Sequence, residues 1–294
     1  MSDNQKKTCA FVGLGVMGYP MAGHLQAAGH ATTVYNRTTA KAEAWVVEHG
    51  GVAATTPGKA ATAAEVVLVC VGNDDDLRSV IFGPDGILSG MSAGSVLVDH
   101  TTASAEVARE IAAAAVQQGV GFVDAPVSGG QAGAETGQLS VMCGGSEETF
   151  ASVEEILEVY AKAVNLIGPV GAGQTTKMVN QICIAGLIQG LSEALDFGRR
   201  ADLDMDKVLA AISQGASGSW QMSNRATTML DGHFDHGFAL DWMRKDLGIV
   251  FDEAERIGAS LPITALVDQY YARLQRQGHG RWDTSSLMDL LRDQ

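Results

Sequence analysis

The sequence predicts an α/β fold in which an N-terminal doubly wound, mostly parallel sheet is followed by an all-α C-terminal domain. Three observations carry that expectation: short apolar strands alternate with helical segments through the first half, a G-x-G-x-x-G run follows the first strand, and the period turns helical after Gly168-Pro-Val-Gly-Ala-Gly173.

The elements follow in order. Thr8-Cys-Ala-Phe-Val reads as a strand, the segment after Gly18 as a helix, residues 32–35 as a second strand and residues 40–49 as a helix. A strand over residues 66–71, a helix from about residue 75, a strand over 96–99 and a helix over 104–118 come next. Strands near 122–124, 139–143 and 164–167 complete the sheet. A long helix then covers residues 173–199, and helices continue between Gly and Pro breaks at residues 215–218, 232–237, Pro262 and 278–280. The expected division is a dinucleotide-binding domain over 1–171 and a helical substrate and oligomerisation domain over 172–294, joined by that long helix.

A length of 294 residues suits two domains with substantial cores, and 46% hydrophobic with 18% charged residues is ordinary for a soluble globular protein. The net charge of -14 excludes nucleic acid and anionic membrane as partners, because no basic run exists to neutralise phosphates. An anionic substrate needs a local pocket. Cys9, Cys70, Cys143 and Cys183 are widely spaced without a CxxC pair or metal-ligand spacing, so they read as buried thiols of a reducing compartment, with no metal. The polar first seven residues lack the apolar core of a signal peptide, and no membrane span is expected, which makes cytoplasmic the default.

In the glycine run, Gly13 makes the tight turn, Gly15 admits a pyrophosphate and Gly18 lets helix and strand pack closely. Gly13, Leu14, Gly15, Val16, Met17 and Gly18 are therefore the candidate phosphate-binding run, with helix amides facing the anion and Pro20 inside the first turn. An NAD site usually carries an Asp or Glu at the end of the second strand, whereas this chain has Asn36-Arg37-Thr38. Arg37 can fork a 2′-phosphate while Asn36 and Thr38 donate to its oxygens, so NADP is expected in preference to NAD, with NAD usable. The alternative is an ordinary turn with Thr38 as helix cap.

Ligands in such sheets bind beyond the carboxyl ends of the strands. Cys70, Val71, Gly72 and Asn73 at one end, and His100, Thr101 and Thr102 at another, should border the cofactor. After Asp124, the run Ala-Pro-Val-Ser128-Gly129-Gly130 offers consecutive glycine amides and a hydroxyl for a substrate carboxylate, or is a plain glycine turn. On the long helix, Lys177 interrupts an apolar segment, and Asn180 and Gln181 lie one turn beyond on its face. A buried amine there becomes an acid or base near neutral pH; the alternative is a lysine that snorkels or pairs with a carboxylate.

Together the runs Gly13-Leu-Gly-Val-Met-Gly18-Tyr-Pro-Met-Ala, Asp124-Ala-Pro-Val-Ser-Gly-Gly130, Gly171-Ala-Gly-Gln-Thr-Thr-Lys177-Met-Val-Asn180-Gln181 and Lys245-Asp246-Leu247 resemble the β-hydroxyacid dehydrogenase family over nearly the whole chain. That family includes 3-hydroxyisobutyrate dehydrogenases, tartronate semialdehyde reductases and glyoxylate reductases. The resemblance implies a Rossmann domain with a 6-phosphogluconate dehydrogenase-like C-terminal domain and assembly as a homodimer or homotetramer. It implies that Lys177 is catalytic, that Ser128, Gly129 and Gly130 hold the substrate carboxylate, and that Lys245 reaches the cofactor. Family members often carry Asn four residues after the lysine, where this chain has Gln181, so Asn180 and Gln181 are both candidate substrate ligands. The run Gly215-Ala-Ser-Gly-Ser-Trp220 resembles the region that closes over substrate, with Trp220 either a pocket wall or a core or interface residue.

The expected reaction is hydride transfer between NADP(H) and a short β-hydroxy acid or its aldehyde-acid counterpart, with Lys177 as general acid and base. The rivals are an NADPH-dependent imine reductase and a non-catalytic dinucleotide-binding module, both of which characteristically lack the lysine.

Overall fold

The computed structural model describes residues 6–292; residues 1–5, part of the polar start read for a signal peptide, and residues 293–294 lie outside it. The chain separates into two compact units, the first ending at Lys177 and the second beginning at Met178.

The first unit contains β1 (Thr8–Val12), α1 (Gly18–Ala27), β2 (Ala31–Tyr35), α2 (Thr39–His49), β3 (Val52–Ala53), α3 (Pro57–Ala61), β4 (Val66–Val69), α4 (Asp74–Ile81), α5 (Ile87–Gly90), β5 (Val96–Asp99), α6 (Ala105–Val116) and β6 (Gly121–Asp124). After them come β7 (Val127–Ser128), α7 (Gly130–Glu135), β8 (Leu139–Gly144), α8 (Glu147–Leu157) and β9 (Ala161–Gly168). The strands form one sheet in the order β3-β2-β1-β4-β5-β6-β8-β7, with β9 also pairing to β8. Neighbours from β3 to β6 are parallel, and β8 runs antiparallel to both β6 and β7.

Side-chain alternation explains why the sheet is covered on both faces. Phe11, Leu68, Val98 and Val123 enter one core, whereas Val12, Val67, Val69 and Leu97 enter the other. Several elements escape the sequence pattern. The pieces β3, β7, α3, α5 and α7 are two to six residues long, too short to show a period. By contrast α8 carries a readable signal, Ser146 at its N-cap accepting the Thr149 amide. β9 begins three residues before the expected strand, because Lys162 interrupts the apolar run at its start.

The helix α9 (Ala172–Arg200) begins in the first unit and continues into the second, which holds α10 (Met205–Ile212), α11 (Trp220–Asp231), α12 (Leu240–Ile257), α13 (Pro262–Arg276) and α14 (Asp289–Arg292). Ala185, Ile188, Met243, Leu247, Val267 and Tyr271 form one of its cores; Leu195, Met222, Met229 and Phe234 belong to a second. Asp283 is fully buried and accepts hydrogen bonds from the Phe238 amide at 2.8 Å, Arg225 Nε at 3.1 Å and the Ser285 hydroxyl at 2.6 Å. A buried charge is tolerable only with such partners. One sequence expectation is corrected here: Cys9 and Cys143 are buried, but Cys70 is half-buried and Cys183 exposed, because its position on α9 faces outward; all four are free thiols.

Replacing Asp283 with Ala leaves the Arg225 guanidinium, itself largely covered, without its carboxylate. Urea unfolding of Asp283→Ala should show a loss of about 3–5 kcal/mol; a loss within error of zero would contradict this account of the helical unit.

Candidate active site

The glycine run folds as its spacing requires. Gly13 has φ +96° and its amide donates to the Tyr35 carbonyl at 2.8 Å, joining β1 to the end of β2. A methyl group on Gly18 would overlap the Gly13 carbonyl and crowd Phe11, so helix and strand approach too closely for any side chain. A methyl group on Gly15 would meet nothing within 4 Å. The backbone there borders open space, and the N-terminus of α1 has no side-chain cap. That cradle fits a pyrophosphate, which takes the helix-end amides and needs Gly15 bare. Leu14 is buried, Met17 packs on the core and Val16 is exposed. The same groove is lined by Tyr19, Ala40 and Lys41. Lys41, in the first turn of α2, is a cation that the sequence reading passed over because it lies outside the strand-end triplet.

The triplet after β2 divides its work. Asn36 accepts from the Leu14 amide at 3.0 Å and donates to the Thr38 carbonyl at 3.1 Å. It therefore locks the glycine loop to the strand end, rather than offering its carboxamide to a phosphate. Thr38 sits at the N-cap of α2 but makes no capping bond with its side chain. Arg37 is 88% exposed, and its guanidinium lies 3.4 Å from Asp76 Oδ1. Asn73, also assigned to the cofactor from sequence, accepts the Asp76 amide at 2.8 Å as the cap of α4. The β4 end is set by Cys70 N donating to the Val12 carbonyl and by Val71 N donating to Thr101 Oγ1 at 3.0 Å; Gly72 follows directly.

At the end of β5 the sequence reading is partly corrected. His100 does not border open space: it is buried, 2.7 Å from the Ala125 carbonyl through Nδ1 and 2.8 Å from the Tyr160 hydroxyl through Nε2. A carbonyl only accepts, so Nδ1 carries the proton and Nε2 accepts from Tyr160. Burial lowers its pKa to about 4, against the opposing Ala125 bond, so the ring is neutral. Asp99 accepts the Thr101 amide at 2.9 Å through Oδ1, while Oδ2 is buried without a hydrogen-bond partner among the described residues. Burial raises its pKa from 3.8 to about 7. Thr102 is half-buried next to this pinned turn.

The next strand end anchors α9. Asp124 is fully buried and accepts the Gly171 amide at 2.7 Å and the Gln174 amide at 2.9 Å. Burial raises its pKa, and the amides of Gly171 and Gln174 oppose the rise. A side chain on Gly173 would strike the Asp124 and Met142 carbonyl oxygens. Gln174 donates to the Thr101 carbonyl at 2.7 Å and accepts from the Ala103 amide at 3.1 Å, tying the helix start to the β5 loop. One turn on, Lys177 is 8% exposed and its ammonium donates to the Val127 carbonyl at 2.9 Å. Val127 precedes Ser128, Gly129 (φ +135°) and Gly130 (φ +62°), and a methyl group on Gly130 would meet nothing within 4 Å.

Within the second unit, Asn180 Nδ2 donates to Gln181 Oε1, and Gln181 Nε2 donates to Asp246 Oδ2, both at 2.7 Å. Gln181 is 1% exposed. Both ends of its carboxamide are spent on positioning Asn180 and Asp246, which removes it as the substrate-facing amide. The Lys245 ammonium lies 2.8 Å from Asp246 Oδ1, off the line of a hydrogen bond. Trp220 is 50% exposed with the Arg225 guanidinium 5.0 Å from its ring centroid, so it is not a core residue. Among the described residues no group of His, Cys, Asp and Glu side chains could hold a metal.

Comparison with known proteins agrees with this fold. Residues 8–168 match the NAD binding domain of 6-phosphogluconate dehydrogenase, and residues 171–291 match the domain described as NAD-binding of NADP-dependent 3-hydroxyisobutyrate dehydrogenase. An uncharacterized oxidoreductase of Shewanella frigidimarina is 60% identical over 95% of this chain and 96% of its own. The 2-hydroxy-3-oxopropionate reductase of Escherichia coli is 32% identical over 96% of each chain. A structure of Mycobacterium tuberculosis 3-hydroxyisobutyrate dehydrogenase with L-serine superimposes with a TM-score of 0.89 at 28% identity, covering 98% of this chain and 100% of that one. The chain belongs to the β-hydroxyacid dehydrogenase family. It is an NAD(P)-dependent oxidoreductase that acts on the CH–OH group of a hydroxy acid.

Asp99 gives a pH test. Its folded pKa is raised above 3.8, so its contribution to stability is complete below about pH 4 and is lost as pH rises through about 7. Asp99→Asn keeps the acceptor for Thr101 and never ionises. Its melting temperature relative to wild type should therefore be higher at pH 8 than at pH 5; a difference independent of pH would contradict the assignment.

Proposed function

We propose that this enzyme interconverts a short β-hydroxy acid and its aldehyde-acid or keto-acid counterpart with NADP(H) in preference to NAD(H), using Lys177 as the general acid and base. The observation that carries the reading is the position of the Lys177 ammonium on the Val127 carbonyl, directly before Ser128, Gly129 and Gly130. An amine and a bare pair of left-handed glycines on one short segment suit a substrate with a hydroxyl close to a carboxylate.

When bound, the nicotinamide accepts or returns the hydride. In the oxidative direction Lys177 Nζ, as the neutral amine, takes the hydroxyl proton as the C–H hydride leaves, and in the reductive direction the resulting ammonium returns that proton to the new alkoxide. The Ser128 hydroxyl and the amides of Gly129 and Gly130 hold the carboxylate, which fixes the reacting carbon at one distance. The Gly13 to Gly18 run holds the pyrophosphate, with Arg37, Thr38 and Lys41 toward the ribose phosphate. Cys70, Val71, Gly72 and Thr102 border the rest of the cofactor as backbone and short side chains. Asn180 and Lys245 keep the roles toward substrate and cofactor that the family resemblance implies, and Trp220 that of a wall at the substrate entrance. On this reading residues 1–171 serve the dinucleotide and residues 172–294 serve the substrate and a homodimer or homotetramer contact.

Two of these relatives support a small, carboxylate-bearing substrate, since one is named for a three-carbon hydroxy-oxo acid and the other is bound to L-serine. Four free thiols, a net charge of -14 and, among the described residues, no helix long and apolar enough to cross a membrane suit a cytoplasmic enzyme. The imine-reductase reading has no use for an amine at Lys177.

Initial rates with NADP and NAD across 3-hydroxyisobutyrate, serine, glycerate, 3-hydroxypropionate and 4-hydroxybutyrate, with glyoxylate and succinic semialdehyde in reverse, test the proposal. Lys177→Ala should lower turnover of the active substrate by about 100-fold to 10,000-fold while cofactor affinity stays within about twofold of wild type. Comparable rates for Lys177→Ala and wild type would remove the acid-base role.

A further inference from the structure

We infer that Asp76 sets the balance between NADP and NAD, acting as the carboxylate that the end of β2 lacks. The inference rests on the reading that Arg37 faces the 2′ position of the adenosine ribose. In an NAD site a carboxylate at the end of the second strand accepts hydrogen bonds from the ribose hydroxyls. Here that position reads Asn36-Arg37-Thr38, and the fold instead delivers a carboxylate from 39 residues further along, with Asp76 Oδ1 3.4 Å from the Arg37 guanidinium.

The placement of Asp76 is built, not incidental. It lies in the first turn of α4, where Asn73 caps the helix by accepting the Asp76 amide at 2.8 Å. Two residues back, Asp74 accepts from the Ser104 amide at 3.0 Å and the Ser104 hydroxyl at 2.5 Å, which fixes the turn to the start of α6. Arg78, two residues on, pairs with Glu110 of α6 at 2.7 Å. The backbone under Asp76 is therefore held from both sides, while its side chain is 33% exposed and that of Arg37 is 88% exposed.

Asp76 then acts in opposite directions on the two cofactors. Toward NADP, it competes with the 2′-phosphate for Arg37 and repels that dianion. Toward NAD, it accepts a hydrogen bond from the free 2′-hydroxyl. An exposed ion pair at 3.4 Å is weak, so Arg37 exchanges partners readily and the preference is graded rather than absolute.

The test is calorimetric binding of NADP+ and NAD+ to wild type, Asp76→Asn, Arg37→Ala and the double variant at low and high salt, with no substrate present. Asp76→Asn should tighten NADP+ by about tenfold at low salt and weaken NAD+, and the gain for NADP+ should shrink at high salt. Arg37→Ala should weaken NADP+ far more than NAD+, and Asp76→Asn added to it should give a smaller gain than in wild type, because part of the effect passes through the guanidinium. An unchanged NADP+/NAD+ affinity ratio in Asp76→Asn, with Arg37→Ala still selective, overturns the role of Asp76 alone. Equal losses of both cofactors in Arg37→Ala overturn the reading of Arg37 on which it rests.

Discussion

The carboxylate of Asp124 holds the start of α9, and most of what the first unit can do depends on that clamp. It is fully buried, and two amides at the beginning of the helix donate to it. An uncapped helix terminus in a protein interior leaves orphan donors, and a buried carboxylate without donors is costly; each solves the other's problem. The contact also demands the absence of side chains at Gly144 and Gly173, where a methyl group would collide with Asp124 or with the helix backbone. Three residues beyond Asp124 in sequence, the Val127 carbonyl receives the Lys177 ammonium. One short segment thus fixes both the origin of the helix and the tip of the Lys177 side chain.

Gln174 extends the clamp to the neighbouring strand end. It bridges the Thr101 carbonyl and the Ala103 amide, while Thr101 in turn receives the Val71 amide on its hydroxyl and gives its own amide to Asp99. The ends of β4, β5 and β6 are therefore linked by hydrogen bonds to the start of α9. Neutral His100, turned inward between Ala125 and Tyr160, closes the same layer from below the surface. The strand-end loops are positioned by buried residues beneath them, which is how a surface keeps its geometry when the loops themselves are short.

What could be read from sequence divides along physical lines. The strands β1, β2, β4, β5 and β6 are apolar and bounded by turns, and their places came out within two residues, as did the glycine loop whose spacing is dictated by sterics. The burial of the Lys177 amine was legible because a charge in an apolar helix is conspicuous. The partner choices of polar side chains were not. Asn36, Asn73 and Gln181 looked like ligand contacts because amides at strand ends and beside a lysine can be, yet each is engaged in holding backbone or another side chain. Asp76 was invisible for the opposite reason: it comes to Arg37 through the crossover of the fold, and nothing local in the run Asn73-Asp-Asp-Asp76 marks which acid faces inward. The exposed Cys183 shows the same limit, since helical phase, not residue type, set its environment.

Asp124 fixes the place of Lys177. Asp124→Asn retains the size of the side chain but sets an amide against the helix-start amides that now donate to the carboxylate. Single-turnover hydride transfer should fall by about 100-fold, because a displacement near 1 Å at the reacting groups costs that much, while NADP+ affinity and helical circular dichroism stay close to wild type. A folded Asp124→Asn enzyme with an unchanged transfer rate would contradict the account.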